Sequence, residues 1–108
     1  MVNEAEAVFP ALADPTRRRV VELLGQGPRR AGDLAAATGT SASGMSRHLR
    51  VLLDAGFVVD ERVPDDARLR LFRLQPEPVL ALQAWLDQLQ AHWNEQLSSF
   101  QDYVEDSS

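Results

Sequence analysis

The sequence predicts a mainly α-helical fold with a small β-hairpin: a winged helix-turn-helix of about five helices and a two-stranded wing. Three observations carry this. Residues 33–57 read as a short helix, a Gly-containing turn and a second, amphipathic helix. After Gly56 the apolar period changes from helical to alternating, which is the switch from helix to strand. From Pro76 onward, Leu82, Leu86, Leu89, Trp93, Leu97, Phe100 and Val104 recur every three or four residues, one face of a long helix.

The elements follow in order. A first helix covers 4–13, with Val8, Phe9 and Leu12 apolar. Pro10 lies inside it, so the helix either kinks there or starts close to it. Asp14-Pro15 is a start signal, an N-cap followed by proline at the first helical position. It opens a helix over 15–26 whose buried side is Val20, Val21, Leu23 and Leu24. A third helix, 31–38, buries Leu34, Ala35 and Ala37. Thr38-Gly39-Thr40 breaks it. Ser41 caps the next helix, because its hydroxyl can accept from an orphan N–H in the first turn. That fourth helix, 42–55, places Ala42, Met45, Leu49, Leu52 and Leu53 on one stripe. The wing takes 57–74, with strands at Phe57-Val58-Val59 and Leu69 to Leu74 around a loop at 64–68. Gln75-Pro76-Glu77-Pro78 opens the last helix, 76–104.

At 108 residues the chain makes one domain, 1–108, with a modest core. It has no cysteine, which excludes disulfides, thiolate metal sites and thiol redox switches. No apolar run exceeds four residues, so no membrane helix is expected. The N-terminus is acidic and lacks a signal-peptide core, which points to the cytoplasm. The net charge of −5 argues against a polyanion partner until its distribution is considered. All 11 basic residues are arginines between Arg17 and Arg73, where they outnumber seven acids. The two ends carry the other nine acids and no base. Local potential governs the approach of a polyanion more than total charge does.

The fourth helix turns Ser43, Gly44, Arg47 and Arg50 away from its apolar stripe, with Ser46 and His48 on the flanks. Such a face suits the major groove of double-stranded DNA. Arginine holds guanine bidentately, and hydroxyls reach base edges or phosphates. The DNA-binding candidates are Ser41, Ser43, Ser46, Arg47, His48 and Arg50, joined by Arg68 and Arg70 of the wing. Arg47 is the first choice for a base edge. Ser41 and Ser43, near the helix N-terminus, suit a phosphate, as does Arg50. His48 has the alternative of a bond within the protein. Gly44 leaves room for close backbone approach. Asp65 and Asp66 sit at or near the wing tip, where two carboxylates would repel phosphates, so Arg68 is the expected wing contact.

About 29 residues of helix make roughly 40 Å. A compact chain of this length has a radius of gyration of about 13 Å. Such a body cannot cover the last helix alone. A symmetric homodimer is the simplest solution, with Val8, Phe9, Leu89, Trp93, Leu97 and Phe100 at its interface.

Phe9 to Arg19 (FPALADPTRRR) resembles the entry segment of the ArsR, or arsenic-repressor, family of bacterial winged helix-turn-helix regulators. Ser41 to Leu52 resembles its recognition helix, above all in Ser46-Arg47-His48-Leu49. Asp54 to Val58 resembles the exit into the wing. The likeness covers about residues 8 to 75, and the last helix fits the family's dimerisation helix in length and pattern. The resemblance implies a homodimeric transcriptional repressor that binds a short imperfect palindrome and obstructs transcription. Many members release DNA when a metal ion binds. This chain departs from that pattern. The positions of the family's thiolate site hold Arg30 and Gly32, neither of which can ligate. The other family site uses histidine and carboxylate on the last helix, where this chain has Asp87, His92 and Glu95. His92 and Glu95 share a face and would make a weak site only if a second subunit completed it. No metal and no cofactor is expected, and the inducer is left unassigned.

Catalysis is not expected. Ser46 and His48 are two apart on a helix, whereas helical neighbours are three or four apart. No Gly-rich phosphate loop, nucleophile elbow or paired-carboxylate spacing is present. Two alternatives stay open. One is a winged-helix module that binds protein and not DNA. The other is a metal-sensing repressor that uses His92 and Glu95.

Overall fold

The computed structural model describes residues 4–107. Among them the order is α1 (Glu4–Leu12), α2 (Pro15–Leu24), β1 (Arg29–Arg30), α3 (Ala31–Thr38), α4 (Ala42–Asp54), β2 (Val58–Val63), β3 (Asp66–Leu74) and α5 (Pro76–Ser107). The strands form one antiparallel sheet in the order β1-β3-β2. The sheet therefore has three strands, the two of the wing that the sequence marks and β1 beside them. β1 pairs Arg29 with Phe72 and Arg30 with Leu71. Two consecutive arginines carry no alternation that would announce a strand.

Local chemistry sets the helix ends. Asp14 caps α2, its carboxylate accepting from the Thr16 and Arg17 amides at 2.7 and 3.2 Å. α2 stops at Leu24, short of the expected 26, because the amides of Gly25, Gln26 and Gly27 turn back onto the carbonyls of Val21, Leu23 and Leu24. α3 and α4 close by one device. Gly39 (φ 66°) and Gly56 (φ 78°) take the left-handed position after the helix. The amides of Gly39 and Thr40 bond the carbonyls of Ala36 and Ala35, and those of Gly56 and Phe57 bond Leu53 and Leu52. Orphan carbonyls are satisfied, and the residue at the pivot needs no Cβ. α1 runs on through Pro10 to Leu12, and α5 continues past 104 to Ser107.

β2 and β3 extend beyond the expected strands to a two-residue tip at Pro64-Asp65, with Val63 opposite Asp66. β2 reads Val-Val-Asp-Glu-Arg-Val and has little apolar alternation. Diagonal ion pairs take its place: Arg70 Nε to Asp60 Oδ2 at 2.6 Å and Arg73 Nη2 to Glu61 Oε2 at 3.7 Å.

The core forms where the first four helices meet the base of the sheet. Val20, Leu23, Leu24, Leu34, Met45, Leu49, Leu52, Phe57, Val58 and Phe72 are buried there, with the small Ala11 and Ala35. Val8 joins them at 1% exposure. The expectation that Val8 faces a partner copy is thus corrected: it lies on the side of α1 turned to the chain's own core. Ala37 and Ala42, expected inside, are exposed.

α5 projects from this body. At 32 residues it is about 48 Å long. The molecule measures 71 × 26 × 26 Å, with a radius of gyration of 19.4 Å. Among the described residues no helix is long and apolar enough to cross a membrane.

Candidate nucleic-acid interface

The presented helix is α4, and its start is built residue by residue. Thr38 Oγ1 donates to the Leu34 carbonyl at 2.8 Å and lies 2.9 Å from the Thr40 hydroxyl, which tightens the turn out of α3. Ser41 Oγ then accepts from the Gly44 amide at 3.0 Å, the expected N-cap. A Cβ at Gly44 would come within 3.0 Å of both Ser41 Oγ and Thr40 Cγ2. Glycine at this position therefore protects the cap, a local reason beside the closeness to DNA that the sequence suggests.

Met45, Leu49 and Leu52 seat α4 in the core. That fixes which face is outside. Ser41, Ser43, Ser46, Arg47 and Arg50 are exposed, and His48 is half-buried on the flank.

The arginines divide into two groups. Arg17 donates from Nε to the Ala11 carbonyl at 2.7 Å and from Nη2 to the Pro10 carbonyl at 3.1 Å. Arg18 reaches the carbonyls of Leu12 and Ala13. Together they close the C-terminal end of α1, where orphan carbonyls attract cations. Arg29 Nε does the same for α2 at Leu23. Arg19 pairs with Glu22, as its i, i+3 spacing suggests. Arg70 and Arg73 are held by carboxylates of β2. In contrast, the guanidiniums of Arg30, Arg47, Arg50 and Arg68 have no partner among the described residues.

Two sequence candidates thus have partners inside the protein. Arg17 Nη1 lies 3.3 Å from His48 Nδ1. A guanidinium only donates, so Nδ1 accepts and the ring proton sits on Nε2. This is the internal bond that the sequence left open for His48. Arg70 is clamped by Asp60 and stacked 5.0 Å above the Phe72 ring. It still lines, with Ser46, Leu49, Arg50, Leu53 and Phe72, a small pocket between α4 and β3. The structure therefore brings Ser46, Arg50 and Arg70 together. At the wing tip, Asp66 Oδ1 accepts from the Arg68 amide at 3.0 Å, so that carboxylate is engaged by its own strand. Arg30 is the cation the sequence reading passed over. Its one signal was an arginine at the residue before a helix, where it caps nothing.

Two carboxyls are shifted. For Asp14, partial desolvation pushes the carboxyl up. Hydrogen bonds from the Arg17 and Thr16 amides, with the nearby Arg17 charge, outweigh that and hold it below the ordinary carboxylate value. For Asp60, the hydrogen bond from Arg70 dominates and lowers it, against slight desolvation. A folded value below the unfolded one means stabilisation that is complete above about pH 4 and lost as pH falls through the folded value. Asp14→Asn keeps a capping oxygen but does not titrate. Its stability is expected to fall less than that of the wild type between pH 5 and pH 3, as read by urea unfolding at each of about four pH values.

The expected partner-facing residues lie along α1 and α5. Phe9 is partly exposed and meets Trp85 edge-on, centroids 5.2 Å apart. Leu89, Trp93, Leu97 and Phe100 are exposed, Trp93 at 58% and Phe100 at 66%. His92 and Glu95 are exposed on the same helix. Among the described residues no three His, Asp or Glu side chains gather as a metal site.

A helix, a tight turn, a presented helix and a flanking hairpin define a winged helix-turn-helix protein. A helix-turn-helix domain family matches residues 12–61. Over 100 residues the chain is 35% identical to the HTH-type transcriptional regulator Rv2034 of Mycobacterium tuberculosis, covering 93% of this chain and 88% of the relative. The crystal structure of an ArsR family transcriptional regulator, RHA00566, matches with a TM-score of 0.74 at 32% identity, over 84% of this chain and 91% of that one. The homodimeric winged helix-turn-helix DNA-binding domain Mb0332 of Mycobacterium bovis matches with a TM-score of 0.62 at 26% identity, over 87% and 82%. This chain belongs to the ArsR family of winged helix-turn-helix transcriptional regulators.

Proposed function

We propose that the chain is a cytoplasmic, homodimeric repressor that binds a palindromic operator in double-stranded DNA. The observation that carries this is the pair Arg47 and Arg50. They stand with Ser43 and Ser46 on the outer face of α4, and no group among the described residues engages them. Arg47 reads base edges. Arg50, Ser41, Ser43 and the wing's Arg68 hold phosphates, and Arg70 and Ser46 complete the wall between helix and wing. The second copy packs along Phe9, Leu89, Trp93, Leu97 and Phe100. Two-fold symmetry then presents two α4 helices to half-sites about 34 Å apart, one duplex turn. A dimer seated on a promoter obstructs transcription. The likeness to a homodimeric DNA-binding domain supports the reading. No catalytic role is proposed, because His48 Nδ1 is occupied by Arg17 and no base is paired with Ser46 among the described residues.

Retardation of duplex DNA tests it. The affinity is expected to fall steeply with salt, with a logarithmic slope of about −0.9 per phosphate engaged. Arg47→Ala is expected to cost about 1–3 kcal/mol on the selected site and to relax sequence preference. An unchanged ratio between selected and random DNA would refute that role, and no retardation at low salt would favour a protein-binding module. Release is proposed to be independent of metal, since Arg30 and Gly32 occupy the thiolate positions. Micromolar zinc, nickel or cobalt should leave the affinity unchanged. Weakened binding would point to His92 and Glu95.

A further inference from the structure

We infer that the Arg17–His48 contact is a strut that sets the pose of α4 on the α1–α5 arm, and that both are positioning residues for operator selection. The inference rests on the DNA-binding reading above. One guanidinium serves three acceptors on two elements. Nε and Nη2 hold the Ala11 and Pro10 carbonyls at the end of α1, and Nη1 holds His48 Nδ1 in α4. The Arg17 backbone is anchored as well, because its amide donates to Asp14 Oδ1 at 3.2 Å. A guanidinium is a flat fork with donors at fixed angles. Three acceptors on it hold α1 and α4 in one mutual orientation.

α1 is in turn fixed to α5. Val8 and Ala11 are buried, and the Phe9 ring stands edge-on to Trp85. A continuous set of contacts thus runs from α5 through the end of α1 to His48, the immediate neighbour of Arg47. The apolar stripe of Met45, Leu49 and Leu52 decides which face of α4 is buried, but apolar contact is non-directional. A hydrogen bond has an angle as well as a distance. In a two-fold dimer built on α5, the separation of the two α4 helices depends on how each is held to its own arm. The strut is where that separation is set.

The test uses the full chain and the duplex it selects from a random pool. His48→Leu removes the acceptor and leaves both α1 carbonyl bonds intact. His48→Asn puts an acceptor oxygen near the place of Nδ1. Arg17→Gln removes the fork. His48→Leu and Arg17→Gln are each expected to weaken the selected duplex roughly three- to thirtyfold, with the double variant no worse than either single one. Binding to random DNA and sedimentation as a dimer should not change. Sensitivity to one inserted base pair between the half-sites should flatten. His48→Asn should recover most of the loss. If Arg17→Gln does not fold, the contrast between His48→Leu and His48→Asn decides alone. Additive losses, or equal losses on random DNA, would mean that the side chains touch DNA themselves and would overturn the strut while leaving DNA binding in place. Failure of the wild type to select any duplex would remove the DNA-binding reading and the strut with it.

Discussion

Leu97→Glu is expected to split the proposed dimer and to weaken binding to the selected duplex at least about a hundredfold, with helix content unchanged. Leu97 stands in the far half of α5 between Trp93 and Phe100, all three more than half exposed in the single chain. Among the described residues it lies outside the buried cluster and what packs against it, so its loss should leave the fold alone. In a two-fold pair, both glutamates would enter one apolar seam, where an unpaired carboxylate is costly to desolvate. The effect on DNA follows from linkage. Two reading heads on one body bind the second half-site as an intramolecular event, which is worth a factor of about 10²–10⁴. Single chains forfeit that factor. Sedimentation equilibrium and gel retardation on one sample check both halves. Single chains with undiminished affinity would refute the link between α5 and DNA grip.

Phe57→Ala is expected to cost about 3–5 kcal/mol, a large share of the roughly 5–15 kcal/mol that holds a domain of this size. Phe57 is fully buried. Its amide closes α4 onto the Leu52 carbonyl at 3.0 Å, and its own carbonyl accepts from the Gln75 amide at 2.7 Å. The ring therefore sits where the presented helix, the base of the wing and the start of α5 meet. Removing it leaves a cavity at that junction, and neighbours fixed by three different elements cannot collapse into it. Urea unfolding followed by circular dichroism measures the loss. A change below about 1 kcal/mol would show the junction to be plastic.

These effects were legible to different degrees in the sequence. Asp14, Gly39, Ser41 and Gly56 announce helix ends because a cap is the chemistry of one residue and its immediate neighbours. The apolar stripes of α4 and α5 are legible because burial follows a helical period. β1 and the outer halves of β2 and β3 are not, because their pairing depends on partners far along the chain. The arginines are the sharpest case. Arg17, Arg18 and Arg19 are adjacent and identical, yet one bridges α1 to His48, one closes α1 and one pairs with Glu22. Only the last follows from spacing. Whether a cation faces solvent or a carbonyl is decided by tertiary position, and so the sequence could name a basic centre without separating Arg47 from Arg70. Val8 misled for the same reason. An apolar residue beside an exposed one does not say which neighbour covers it.

Both tryptophans stand on α5: Trp85 in a T-shaped contact with Phe9, and Trp93 largely in solvent. The reading head and the sheet have none. Ultraviolet emission from this chain therefore reports the rod and little else. Concentrating the protein should blue-shift the spectrum as Trp93 leaves water, whereas adding duplex to a preformed pair should leave the wavelength in place. The proposed pair would thus carry its own optical gauge of self-association, physically separate from the surface proposed to meet nucleic acid.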